Sequence, residues 1–145
     1  MKKIKVKSVS ALVTKEASVV KSDATIMQIA KEIVRDPKTR SVYVADEDNK
    51  LLGIIPVINL VEYLFYDYIP EEIFPYKALN LVGDVRAEDI MLPPVYVKET
   101  DALDVAFQKM FSQGLKEIPI VDDNMHIIGD LNILELIRAW IKKNS

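Results

Sequence analysis

The residues that could do chemistry in this chain are few, and they do not converge on a reaction. The sequence has no cysteine and one histidine, His126, which leaves no thiol nucleophile, no thiolate zinc site and no histidine cluster for a transition metal. Asp122 and Asp123, near Asp130, could hold a hard cation, but Asp is also common in hairpin turns and no EF-hand spacing is present. We therefore predict a protein that is not an enzyme and has no metal site.

The composition is that of a folded protein without an unusual surface charge. Half of the 145 residues are hydrophobic, 28% are charged and the net charge is −3, so there is no basic field to attract nucleic acid. The most apolar stretch, residues 51–65, is shorter than the ~20 residues that span a bilayer. The basic start is not followed by the apolar run of a signal peptide. We expect a cytoplasmic protein that binds neither nucleic acid nor membrane.

The two halves of the sequence are versions of one unit. Residues 46–53 align with residues 122–129 at an offset of 76 positions, and residues 18–26 align with 95–103 at an offset of 77. Each copy contains a short strand, an amphipathic helix, two apolar runs joined by a polar turn, and a second amphipathic helix. The repeat unit is therefore predicted to be β-α-β-β-α, and the fold class to be layered α/β with pseudo-two-fold symmetry.

Helical periodicity predicts which residues each helix buries. Asp23 and Thr100 are the predicted N-caps of the first helix in each copy. The apolar stripes of those helices are Ile26, Ile29, Ala30, Ile33 and Val34, and Leu103, Ala106, Phe107, Met110 and Phe111. The closing helices are lined by Val57, Leu60, Val61, Leu64 and Phe65, and by Ile133, Leu136, Ile137, Trp140 and Ile141. These closing helices carry more large apolar residues than one small unit can cover, which predicts a homodimer.

The expected organisation is a first repeat over 9–66, a connector over 67–84 and a second repeat over 85–143. Pro70 and Pro75 prevent a long helix in the connector. Its aromatic residues are expected to cover the joint between the repeats or a subunit contact.

Several motifs of the second copy, taken in order, resemble a known family. They are Ala87-Glu88-Asp89-Ile90-Met91, the strand Val95-Tyr96-Val97, an Ala-Leu-x-x-Ala helix start at Ala102, Ile118-Pro119-Ile120-Val121-Asp122 and a strand-ending Gly129. With the tandem unit, this order resembles a pair of CBS domains, called a Bateman module, over residues 9–66 and 85–142. The resemblance implies two repeats around a cleft that binds AMP, ADP, ATP or S-adenosylmethionine, a homodimer, and a regulatory role towards an unknown partner protein.

The resemblance also suggests site residues. In the family, the last strand of a binding repeat runs Gly-h-h-Thr/Ser-x-x-Asp, whose hydroxyl contacts phosphate and whose carboxylate accepts hydrogen bonds from ribose. The second copy has Asn132 and Glu135 at these two positions, and both can still make such bonds. The first copy has Pro56, which has no donor, and Asn59, which has no charge. We therefore expect any ligand in the second half. Asp130 stands where the family has an apolar residue, and its charge would repel a phosphate.

Further positions carried over from the family are less specific. Tyr43 and Pro119 lie in the middle of the strand whose backbone faces adenine, and Lys116 is the basic residue nearest to a phosphate. At the passage from the first strand into its helix lie Val20, Ser22, Val97 and Thr100. Ordinary structural interpretations stay open for three residues: a solvated lysine for Lys116, a packed strand aromatic for Tyr43, and a solvent-facing carboxylate at a helix start for Glu135.

Two functions are weighed above an enzyme. The first is a module that senses an adenosine-containing ligand, requires no cofactor and signals to a partner. The alternative is a ligand-free interaction protein whose nucleotide sites have degenerated to Pro56/Asn59 and Asn132/Glu135.

Overall fold

The computed structural model describes residues 2–9, 17–70, 72 and 84–145. The elements are helix α1 (Val6–Val9), strand β1 (Val19–Lys21), helix α2 (Ile26–Arg35), strands β2 (Ser41–Ala45) and β3 (Leu51–Pro56), helix α3 (Val57–Leu64), a 3-10 turn (Tyr66–Tyr68), helix α4 (Ala87–Ile90), strand β4 (Val97–Lys98), helix α5 (Leu103–Gln113), strands β5 (Glu117–Val121) and β6 (Ile127–Asn132), and helix α6 (Ile133–Asn144). Among the described residues, no helix is both long and apolar enough to cross a bilayer.

The strands form two three-stranded sheets with identical topology, which confirms the repeat and the fold class. The sheet orders are β1-β2-β3 and β4-β5-β6, with the first pair parallel and the second antiparallel in each. Each hairpin turn places one residue in the left-handed region, Asn49 with φ 62° and Met125 with φ 69°. Both antiparallel pairs shift register at equivalent positions, so the two copies share even their irregularities.

The predicted N-caps are wrong by two residues. Helix α2 is capped by Thr25, which forms a capping box with Gln28, and helix α5 has Ala102 at the N-cap position without a side-chain bond. Asp23 and Thr100 instead lie inside tight turns, closed by hydrogen bonds of 3.0 Å from Ala24 N to Lys21 O and from Asp101 N to Lys98 O. The chain therefore makes a turn between strand and helix before the helix begins.

The buried helical stripes are narrower than the periodicity predicts. Ile29 of α2 is buried, as are Leu103, Ala106 and Met110 of α5. Val34, Phe107 and Phe111 are 77%, 51% and 78% exposed, so their predicted burial is wrong. A helix on a three-stranded sheet of short strands buries only its central row of side chains. The outer apolar row is left uncovered.

Two short segments cross between the repeats. Helix α1 packs on the second repeat, where Val6 N donates to Asp101 O at 2.8 Å and Leu103 N donates to Ile4 O at 2.7 Å. Residues 86–92 pack on the first repeat, where Ile54 and Leu92 exchange two backbone hydrogen bonds. Gly53 is needed at this contact, since a Cβ there would lie 2.6 Å from Met91 Sδ.

The repeats meet face to face through β2 and β5. The apolar part of this contact is a buried cluster drawn from both halves, namely Tyr43, Ala45, Leu51, Ile54, Leu115, Val121 and Ile127. The start of β3 also pairs with the start of β6, with Leu51 N donating to Met125 O at 2.9 Å and Ile127 N to Asn49 O at 3.2 Å. Equivalent strands of the two repeats thus face each other across this contact.

The predicted connector falls largely outside the described residues, which omit 71 and 73–83. At its start, the rings of Phe65 and Tyr68 lie 6.2 Å apart and are 53% and 82% exposed.

Candidate functional site

Asn132 closes strand β6 and begins helix α6. Its Oδ1 accepts hydrogen bonds from Leu134 N at 2.9 Å and from Glu135 N at 3.1 Å, so the side chain is the N-cap of the helix. Capping satisfies two of the donors that a helix N-terminus would otherwise offer to an anion. The Nδ2 amide group is then the part of Asn132 that can donate to a ligand.

Glu135 lies in the first turn of α6 with its carboxylate turned inward. The side chain is 4% exposed, and Arg138, which is 60% exposed, approaches Oε2 at 3.6 Å. No hydrogen-bond donor reaches Oε2 among the described residues. Burial raises the pKa of Glu135, while Arg138 and Lys38 oppose the shift. The interpretation of Glu135 as a solvent-facing carboxylate is therefore wrong.

A buried acidic pair, Glu117 and Asp130, lies beside Asn132. Glu117 pairs with Asn132 across β5 and β6, and Asp130 precedes Asn132 by two residues on the same face of β6. Glu117 Oε1 also accepts hydrogen bonds from Arg40 N at 3.1 Å and Ser41 N at 3.0 Å, which joins the second repeat to the first. Both carboxyl groups belong to residues that are only 4% exposed.

The two buried carboxyl groups shift each other's pKa. Burial, followed by the charge of Glu117 and a hydrogen bond to it, raises the pKa of Asp130 to about 8. Burial also raises the pKa of Glu117, but the hydrogen bond from Asp130 and the two backbone donors favour its ionised form. Near neutral pH, Asp130 is therefore the protonated donor and Glu117 the accepting carboxylate.

Tyr43 packs against this acidic pair from the first repeat. Its side chain is fully buried, and burial together with the charges of Glu117 and Asp130 raises the pKa of the phenol. Neither the Tyr43 hydroxyl nor Ser41 Oγ, two residues earlier on β2, has a hydrogen-bond partner among the residues that the structure describes. The interpretation of Tyr43 as a packed strand aromatic therefore fits. The hydroxyl groups of Tyr43 and Ser41 and the acidic pair lie close together between the repeats.

Two more predicted residues lie next to this cluster. Pro119 is buried on β5 opposite Asp130. Lys116 is exposed, and its carbonyl accepts a hydrogen bond from Ile133 N at 3.0 Å. The structure therefore brings Tyr43, Lys116, Pro119, Asn132 and Glu135 to one half of the cleft.

Four of the predicted site residues lie at or just after the first strand of a repeat. Val97 is fully buried in the core of the second repeat, and Val20 packs in the core of the first. The backbone of Ser22 bonds to Ala45 O and Glu88 N, and Thr100 is exposed.

The first half of the cleft lacks the polar groups of the second. Pro56 is the N-cap of α3 without any side-chain bond, and Asn59 is half-buried. Ile54 stands where the second copy has Asp130, and Ser41 stands where it has Glu117. The asymmetry that the sequence indicates is thus larger in the structure, because two further carboxyl groups belong to the same half.

Glu117 is the residue that sequence reasoning missed. It precedes the Ile118-Pro119-Ile120 strand and looks like a solvated residue beside Lys116. Two signals could have identified it: alternation along β5 places it on the same face as Pro119, and it aligns with the small residue Ser41.

A separate groove of about 510 Å³ runs between α5 and α6 of the second repeat. It is lined by Leu103, Asp104, Phe107, Met110, Phe111, Leu115, Ile133, Leu136, Ile137 and Trp140. This groove lies on the helical face of the second repeat and is distinct from the polar cluster in the cleft.

Comparison with known proteins identifies the fold and the family. A CBS domain-containing protein of Thermotoga maritima is 36% identical and superposes with a TM-score of 0.80, covering 96% of this chain and 95% of that one. The CBS domain pair of protein MJ0100, solved with 5′-methylthioadenosine and S-adenosyl-L-methionine, is 21% identical with a TM-score of 0.73 and coverage of 96% and 97%. CBSX2, solved with AMP, is 20% identical with a TM-score of 0.75 and coverage of 98% and 99%.

The chain spans between 30% and 73% of the length of the curated relatives that it matches, at 24–28% identity. The sequence model of the CBS domain matches residues 6–66 and 87–142, which is most of the chain. With two such matches and two sheets of equal topology, the chain belongs to the CBS domain family as a tandem pair of CBS domains.

Proposed function

We propose that this chain is a regulatory module that binds one adenosine-containing ligand in the second half of the cleft. The observation that carries the proposal is Glu135: a buried carboxylate whose Oε2 is reached by no hydrogen-bond donor within the described part of the chain, at the position where the family has its ribose-binding carboxylate. Leaving a buried charged acceptor unsatisfied costs free energy. A ribose diol supplies two hydroxyl donors that would remove this cost.

Binding requires a small rearrangement of the site. Glu135 Oε2 is inaccessible to solvent, so the side chain must rotate before it can contact a ligand. The only attachment that this rotation breaks, among the described contacts, is the 3.6 Å ion pair with the largely exposed Arg138. Because the Glu135 carboxylate is itself buried, the ribose hydroxyl groups have to replace this ion pair as they bind.

The test is calorimetry of the full chain with AMP, ATP and S-adenosylmethionine. We expect one molecule per chain, loss of binding in Glu135→Ala, and nearly unchanged binding in the matched variant Asn59→Ala. In a thermal-shift assay, a ligand at 100 times its Kd adds about 2.7 kcal/mol to the stability. Two ligands per chain would contradict a single site in the second repeat. Binding that survives Glu135→Ala but not Asn59→Ala would show that the ligand binds at the first repeat instead.

The exposed helical faces support a homodimer as the working form. Phe111 and Trp140 beside the α5/α6 groove are 78% and 59% exposed, and Leu64 at the end of α3 and Phe65 just after it are 46% and 53% exposed. Apolar surface of this extent on both repeats is typical of a protein contact. A second copy fits because the two faces are related by the pseudo-symmetry of the chain, so a two-fold axis can pair them.

Light scattering at tens of micromolar tests this part of the proposal. We expect a dimer for the natural chain and a monomer for Trp140→Lys. Gln113→Lys adds the same charge at an exposed polar position of α5 and should leave the dimer intact. A monomeric natural chain would refute the homodimer without affecting the ligand site.

A further inference from the structure

Each repeat leaves an apolar helical face uncovered, formed by α2 and α3 in the first repeat and by α5 and α6 in the second. We call these the first face and the second face. At three equivalent positions the second face carries an aromatic ring, more than half exposed, where the first face carries a smaller side chain. The three pairs are Ala30 and Phe107, Val34 and Phe111, and Leu64 and Trp140. The two faces therefore differ in relief.

The charged residues beside the two faces are opposite at equivalent positions. Glu62 on α3 corresponds to Arg138 on α6, at the offset of 76 residues that relates the closing helices. Asp67, in the turn after α3, corresponds to Lys143 at the same offset. All four residues are exposed.

These charges have little to pair with inside their own chain. Arg138 approaches Glu135 at 3.6 Å. Within the part of the chain that the structure describes, Glu62, Asp67 and Lys143 form no ion pair. They are therefore available to a partner that covers the apolar faces.

A two-fold dimer can cover the faces in two ways. In a head-to-head dimer, each face packs on its own copy in the partner. In a head-to-tail dimer, the first face packs on the second face of the partner, and the two-fold axis repeats this contact. Because the repeats are related by pseudo-two-fold symmetry, residues at the centre of a contact meet their own copies in the head-to-head dimer and their equivalents in the head-to-tail dimer.

The two arrangements differ in charge and in packing. Head-to-head pairing places Glu62 against Glu62 and Arg138 against Arg138, and like charges across an interface oppose association. Head-to-tail pairing places Glu62 against Arg138 and Asp67 against Lys143. It also places each large ring against a smaller side chain, and large residues that face small ones interdigitate without voids.

From this complementarity we infer that the chain forms a head-to-tail dimer, in which α3 of one copy packs on α6 of the other. This inference rests on the proposed homodimer and is independent of the ligand site. Glu62 and Arg138 are the residues that set the arrangement.

Charge reversal tests the arrangement, with the dimer Kd measured by sedimentation equilibrium at low salt. Glu62→Arg places two cations at each of the two contacts of a head-to-tail dimer, so the Kd should rise roughly tenfold. Arg138→Glu should raise the Kd in the same way, and the double variant should return it to near the natural value. High salt should reduce the effect of each single variant.

The head-to-head dimer predicts a different result. There a reversed residue still faces its own copy with a like charge, so none of these variants changes the Kd. Glu47→Arg is the matched control, because it makes the same charge change in the exposed turn between β2 and β3. If Arg138→Glu does not fold, Asp67→Lys, Lys143→Asp and their double variant provide the same comparison.

The outcomes separate the arrangement from the homodimer itself. A natural chain that stays monomeric refutes the homodimer, and the inference with it. A dimer that responds to Glu62→Arg no more than to Glu47→Arg, or that the double variant does not restore, overturns the head-to-tail arrangement and leaves the homodimer standing.

Discussion

The raised pKa of Asp130 makes the stability of this chain depend on pH in an unusual direction. Asp130 has a pKa of about 8 in the folded chain, against 3.8 for an ordinary Asp. Below pH 4 the group is protonated in both the folded and unfolded states. Between pH 4 and 8 only the folded state keeps the proton, so the free energy of unfolding falls as the pH rises.

The size of the effect follows from the linkage relation. One proton retained only by the folded state gives a slope of about −1.4 kcal/mol per pH unit. The pKa values of Glu117 and Glu135 are also raised by burial, so their contributions have the same sign. Over pH 5 to 7 the loss of stability is on the order of 2–3 kcal/mol, a large part of the 5–15 kcal/mol typical of a domain. Asp46 and Asp122 have lowered pKa values, so their small contributions are lost as pH falls through the acid range.

Asp130→Asn isolates the proton from the other titrating groups. The amide is isosteric with the protonated acid and can donate the same hydrogen bond to Glu117, but it does not ionise. We expect similar stability to the natural chain at pH 5, higher stability at pH 8, and a shallower slope between them. Asp123→Asn is the matched control, because the Asp123 side chain is 93% exposed.

Urea unfolding at pH 5, 6, 7 and 8, followed by circular dichroism, measures these slopes. A natural chain whose stability is flat or increasing from pH 5 to 8 would refute the raised pKa of Asp130. The same conclusion follows if Asp130→Asn and the natural chain have equal slopes.

Two further changes test how the repeats are built. Gly53→Ala should destabilise the chain by about 1–3 kcal/mol, because its Cβ would lie 2.6 Å from Met91 Sδ and 2.7 Å from Leu92 O. At the equivalent position, the Cβ of Gly129→Ala would lie no closer than 3.8 Å to the described atoms around it, so this variant should change stability by less than about 0.5 kcal/mol. Equal effects of the two variants in urea unfolding would refute the packing of residues 86–92 on the first repeat. Thr25→Ala removes a capping box and should lower the free energy of unfolding by about 0.5–2 kcal/mol. Asp23→Ala, at the N-cap position predicted from the sequence, should lower it by less. The reverse order would show that Asp23 is the N-cap.

The sequence predicts the repeat well because its signals occur twice. The Asp46 and Asp122 turns, the glycines at 53 and 129 and the two amphipathic helix pairs agree in both copies, and the structure places them in equivalent sheets. The helix stripes are less accurate, because periodicity identifies an apolar face without saying what covers it. Phe107 and Phe111 fit the pattern of α5 and yet are 51% and 78% exposed, with their rings 5.7 Å apart.

The candidate site is harder to predict because its chemistry depends on contacts between the two copies. The spacing of Asn132 and Glu135 is visible in the sequence, but the burial of Glu135 is not. Nor does the sequence reveal that Glu117 reaches across to the backbone of Arg40 and Ser41. Such contacts join residues 76 or 77 positions apart, and only the packing of β2 on β5 creates them.

The positions at which the two copies differ indicate how the module divides its work. Turn and sheet features are retained in both, down to the left-handed residues Asn49 and Met125. Three of the differences between the copies are Ser41 against Glu117, Ile54 against Asp130 and Asn59 against Glu135. At each of these pairs the second copy carries the carboxyl group. Three buried acidic groups in one half are costly to stability, and a fold that needed only to hold two repeats together would not require them. Their concentration on one side is the physical reason to expect one ligand per chain, bound through the second repeat, with the first repeat contributing the backbone and Tyr43 that enclose it.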